Sequence, residues 1–135
     1  MLSVKDIKLA GKLASQQAQV VSELKVLAKD IERCEQTIRE LKKHLEGVNS
    51  KHQGPRSTRE DIAYLTELLE CAKRKLNWEK QMASLQNRAP VLLESMTKLM
   101  NDPRSSPTEQ TRSEMLQALQ QIQAAMERLN EANLK

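Results

Sequence analysis

From Leu24 to Val48 the apolar residues fall at Leu24, Leu27, Ile31, Cys34, Ile38, Leu41, Leu45 and Val48, alternating steps of three and four without a miss. This is the spacing of a coiled-coil seam. A stripe so narrow covers one neighbouring helix and little else, so it dictates how the segment packs before anything else about the chain is known. Composition points the same way. There is no Phe, one Trp, one Tyr and three Gly, while strong helix formers dominate, and the shortage of aromatic and β-branched runs argues against any sheet. The expected class is all-α.

Three helices follow from the punctuation of the chain. The first is expected over about 3–49, opening at Ser3 with Asp6 three residues on, and Gly47 lowers helicity near its end. A turn over 50–57 contains Gly54-Pro55, which cannot continue a helix. The second helix is expected over about 58–101, opened by the capping box Ser57-Thr58-Arg59-Glu60. Pro90 lies inside it and predicts a kink or a fresh start near 87–90, with Asn87 as a cap. After a loop over 102–106, a second box, Ser106-Pro107-Thr108-Glu109, predicts a third helix over about 107–133 with Pro107 in its first position. The whole chain forms a single helical domain.

Short connections make successive helices antiparallel. The expected architecture is an elongated antiparallel three-helix bundle, in which the two long helices form a hairpin stalk and the shorter third packs on the body end. In the second helix Ile62, Leu65, Leu69, Ala72 and Leu76 repeat the strict spacing of the first. Layering the two predicts Val48 against Ile62, Leu45 against Leu65, Leu41 against Leu69, Ile38 against Ala72 and Cys34 against Leu76. Past Leu76 the stripe changes phase to Trp78, Met82, Leu85, Ala89, Leu92, Met96 and Leu99, which puts Trp78 at the junction of stalk and body. Cys71 falls off this seam as a bystander, and Tyr64 falls beside it on the exposed side. A parallel dimer through the first helix is the competing architecture, so monomer and homodimer both stay open.

Residues that could carry chemistry are sparse. His44 and His52 lack the further ligands and fixed spacing of a metal site, and there is no glycine-rich phosphate loop and no nucleophile elbow. Carboxylates such as Glu35 and Glu70 have basic partners four residues on, Arg39 and Arg74, as solvated helix faces do. No cofactor, metal or small-molecule substrate is expected, and the chain is not expected to be an enzyme. Without a signal-like leader, a span of about 20 apolar residues or a disulfide spacing, it is expected in the cytosol or nucleus.

The one local departure is electrostatic. Lys42, Lys43, Lys51, Arg56 and Arg59 stand against Glu46 alone, a balance of +4 that equals the formal net charge of the whole chain. These five are the candidate partner-binding residues, suited to an acidic surface. Nucleic acid fits poorly, because no aromatic interleaves with the cations to stack on bases. Ser106, followed by Pro107, is a candidate phosphorylation site at a helix cap. The expected function is that of a non-catalytic interaction protein, a small adaptor or a subunit of a larger intracellular assembly. The alternative is a binder of the cytoskeleton or an anionic surface through the basic tip.

Overall fold

The computed structural model describes residues 3–104 and 107–134. They form three helices, α1 (Val4–Lys51), α2 (Thr58–Asn101) and α3 (Glu109–Leu134), with no strand among the described residues. At 1.5 Å per residue α1 extends about 72 Å, α2 about 66 Å and α3 about 39 Å. The all-α bundle of two long helices and one short one is therefore as expected.

Local chemistry sets the ends. Ser3 Oγ accepts from the Asp6 backbone N–H at 3.2 Å, and the Asp6 carboxylate accepts from the Ser3 N–H at 3.2 Å, so a complete capping box opens α1. These hydrogen bonds from Ser3 also hold the Asp6 carboxyl below its ordinary pKa. Ser57 Oγ likewise accepts from the Glu60 N–H at 3.2 Å at the start of α2. The reversal uses Gly54 at φ +84°, a left-handed conformation that a side chain would strain. Two expectations change here. The helix α2 runs unbroken through Pro90, with no new start at Asn87. Pro90 and Gln86 are both exposed, so water can take the carbonyl bond that the missing proline N–H leaves open. At the other end, α3 begins two residues later than expected. Thr108 Oγ1 accepts from the Thr111 N–H at 3.1 Å and serves as the cap, which leaves Pro107 ahead of the helix. Ser106 lies outside the described residues.

The bundle is organised around α1. It packs along both α2 and α3, whereas no Cα of α2 lies within 8 Å of a Cα of α3 among the described residues. Its stripe is buried from Leu13 through Val20, Leu24, Leu27, Ile31, Cys34 and Ile38 to Leu41, and Leu24 and Leu27 are wholly inaccessible. Helix α3 answers with Met115, Ala118, Ile122, Ala125, Leu129 and Ala132, all buried at alternating steps of three and four. Arg128 of α3 donates to Glu35 at 3.2 Å, and Lys42 Nζ donates to the Ala132 and Asn133 carbonyls. The third helix therefore ends level with Lys42, and α1 and α2 continue without it to the turn.

The layering expected between α1 and α2 is overturned. Ile62, Leu65, Leu69 and Leu76 point away from α1 and are 54 to 62% exposed. The face that α2 buries instead runs through Tyr64, Leu68, Cys71, Trp78, Met82, Leu85, Ala89, Leu92, Met96 and Leu99, in one phase from end to end. The physical reason is continuity. An unbroken α-helix cannot rotate its apolar face between Leu76 and Trp78, so the two stripes compete for one position. The lower one carries the indole, and it wins: Trp78 is buried and its Nε1–H donates to the Cys34 carbonyl at 2.9 Å. Extending that phase upward brings Cys71 into the core, where the sequence suggested a bystander, and half-buries Tyr64.

Two outcomes follow from this orientation. Ile31→Ala, at a wholly buried position, should cost about 2 to 5 kcal/mol, whereas Leu69→Ser should stay within about 0.5 kcal/mol of the parent. Urea unfolding followed by far-UV circular dichroism measures both, and equal losses would contradict the orientation of α2. Cys34 and Cys71 are both buried and unbridged, and burial pushes the Cys34 thiol above its ordinary pKa. Cys34 should not react with a thiol reagent such as DTNB in the native protein and should react after denaturation.

Candidate functional site

Two surfaces differ from an ordinary solvated helix face: the turn end of the hairpin, and the outer face of α2 above Trp78. At the turn, Tyr64 is the hub. Its hydroxyl donates to Asn49 Oδ1 at 2.5 Å, the His52 ring meets it edge-on at 5.1 Å, and the Arg56 guanidinium lies 4.5 Å above its centroid. Glu67 sits alongside, accepting from Lys51 Nζ at 3.0 Å and pairing with His52 Nε2 at 2.6 Å. Arg56 also donates to the His52 carbonyl at 2.6 Å and to Asp61 at 2.8 Å. A polar and aromatic clasp therefore closes the hairpin at the turn, beside the outermost expected layer of Val48 against Ile62, and Val48 itself stays buried.

This clasp redistributes the five cations singled out from the sequence. Lys51 and Arg56 are paired with Glu67 and Asp61. Lys42 lies down the hairpin at the end of α3, where a cation meets the negative end of the helix dipole. Lys43 and Arg59 are exposed and have no carboxylate within 4 Å among the described residues. The structure thus does not gather the five into one patch. The i, i+4 pairs expected from the sequence are present, Arg39 with Glu35 at 2.6 Å and Arg74 with Glu70 at 3.8 Å. Glu35 additionally reaches Arg128 on α3.

The outer face of α2 is the feature that sequence reasoning placed in the wrong environment. Ile62, Leu65, Leu69, Ala72 and Leu76 form a solvent-facing stripe at helical spacing. Its signal lies in the sequence as a series from Tyr64 to Leu99 that keeps one phase although Lys75 interrupts it between Cys71 and Trp78, and it is legible once α2 is treated as one rigid helix. Four large aliphatic side chains more than half exposed in a single row are an unusual surface for a chain that buries its other stripes so completely. Beside them, between α1 and α2, runs an open groove whose floor includes Leu41, Leu45, Leu68 and Cys71.

Among the described residues no three His, Cys, Asp or Glu side chains come together as metal ligands do, and no helix is long and apolar enough to cross a membrane. The clasp yields a pH-dependent outcome. Hydrogen bonds from Lys51 and then His52 hold Glu67 below its ordinary value of 4.5. Its folded value lies below its unfolded one, so the stabilisation is fully present above about pH 4.5 and is lost as the pH falls through the lowered value. In urea titrations between pH 3 and 7, Glu67→Gln should flatten the acid limb of the stability curve and leave Tyr64 packed. An identical acid limb in parent and variant would remove Glu67 from the clasp. No protein-family model matches this chain, and neither does any curated protein or solved structure.

Proposed function

We propose that this protein is a non-catalytic helical interaction protein, an adaptor or a subunit of a larger assembly, which offers the outer face of α2 to a protein partner. The observation that carries this reading is the stripe of Ile62, Leu65, Leu69 and Leu76, each 54 to 62% exposed on a helix whose opposite face is anchored on α1 by Cys71, Trp78 and Leu85. Burying a large aliphatic side chain completely is worth about 1.5 to 3 kcal/mol. Covering four that are already half-buried would release on the order of 1 kcal/mol each, enough to support a specific contact once the costs of association are met. A folded monomer gains nothing from leaving such a row in water, whereas a partner-binding surface requires it.

The alternative, a cytoskeletal or anionic-surface binder acting through the hairpin tip, has weaker support. Lys51 and Arg56 spend their charge on Glu67 and Asp61, and pairs already made offer less field to an incoming anion. The two readings separate by experiment. Affinity capture from cell extract with quantitative mass spectrometry should show a set of proteins lost on Leu65→Ser/Leu69→Ser/Leu76→Ser, while helicity and melting temperature hold. Unchanged capture by that variant, together with loss on reversing Lys43 and Arg59 to Glu, would overturn the stripe in favour of the tip.

A further inference from the structure

We infer that the outer row of α2 is one half of a heterotypic coiled coil, completed by a helix of a different protein that carries carboxylates along the edge of its apolar seam. This deepens the proposed function and rests on it. The first argument is spacing. Ile62, Leu65, Leu69, Ala72 and Leu76 advance by steps of three, four, three and four, which are the core positions of a heptad repeat. All five are exposed. The same spacing on α1, from Leu24 to Leu41, is buried against other helices. A row two residues wide is matched by one more helix, and Glu79 stands where the row would continue and so ends it.

The second argument is charge. Arg59, Thr66, Lys73 and Lys80 recur every seven residues along one edge of the row, each three or four residues from one of its members and so beside it on the helix surface. The three cations are exposed, and none has a carboxylate within 4 Å among the described residues. On the other edge Arg56 holds Asp61, Leu68 packs toward the core, and Lys75 is exposed. Edge charges choose partner and orientation in coiled coils. A second copy of this chain meets like charge in either orientation. Antiparallel pairing sets the edge of Arg59, Lys73 and Lys80 against itself, and parallel pairing sets Lys75 of one copy beside Lys80 of the other. An anionic bilayer attracts the cations but repels Glu79 at the end of the row. A foreign helix with Glu or Asp facing the basic edge pairs with all three cations at once.

The test uses the full chain and two fluorescent peptides of about three heptads with Ile and Leu at their core positions, one carrying Glu and the other Lys at every edge position. In anisotropy titrations at low salt the Glu peptide should bind about tenfold more tightly, with the gap closing as salt rises. Arg59→Glu/Lys73→Glu/Lys80→Glu should reverse that preference. Lys5→Glu/Lys8→Glu/Lys12→Glu, an equal change in net charge at exposed positions of α1, should preserve it. Leu69→Ser should weaken the Glu peptide about tenfold and leave the melting curve in place. Equal binding of the two peptides, indifference to Leu69→Ser, or the same response to both charge reversals overturns the inference. So does a dimer in sedimentation, or binding to phosphatidylserine vesicles, that Leu69→Ser abolishes. If cellular capture depends on Leu65, Leu69 and Leu76 while the peptides show no preference, the interaction role stands and the acidic-edged partner falls. If capture ignores those leucines as well, both fall.

Discussion

Among the described residues no Cα of α2 lies within 8 Å of one of α3, so the apolar stripe of α1 from Leu13 to Leu41 is the surface against which both other helices pack. Burial is deepest where α1 is flanked on both sides. Leu24, Leu27, Ile31 and Cys34 are at most 2% exposed, while Leu41, level with the end of α3, reaches 8%, and Leu45 is only half-buried. The hydrophobic stabilisation of the molecule, proportional to apolar area removed from water, is therefore concentrated in one segment of one helix. Ion pairs such as Arg128 with Glu35 and Arg88 with Asp30 border that segment. Half-exposed pairs of this kind contribute little energy, so they orient the helices more than they hold them.

Once α1 is the shared surface, α2 has a single rotational freedom, and Trp78 uses it. Its indole is too large to leave in water and carries a donor that must be satisfied when buried. The Cys34 carbonyl supplies the acceptor. Anchored there, α2 turns Cys71 and Leu68 toward α1 and cannot also turn Leu65 and Leu69 inward. The exposed row is thus a consequence of how the core is satisfied. The exposed row and the buried core are two sides of one packing decision.

At the far end the hairpin closes by different physics. Tyr64, His52, Asn49, Arg56 and Glu67 make directional contacts just past Val48, the last buried residue of α1. Such contacts fix a register that two narrow stripes alone would leave free to slip by a heptad. They also neutralise part of the positive charge that composition placed at the tip, where Lys51 and Arg56 pair with Glu67 and Asp61.

Much of the architecture was legible in the chain. The helix starts at Ser3 and Ser57, the turn at Gly54-Pro55 and the short third helix each rest on interactions within a few residues, and local chemistry determines those without reference to the rest of the molecule. The all-α class follows from composition in the same way. The partner of each stripe did not follow. Ile62–Leu65–Leu69–Ala72–Leu76 and Tyr64–Leu68–Cys71–Trp78 both satisfy helical spacing, so periodicity cannot choose between them. The sequence by itself determined which segments are helical and that two of them are long. Only the tertiary structure decided which face of α2 is inside, because that choice is a competition between whole faces of a rigid helix for one position against α1, won over its full length by the stripe that buries Trp78.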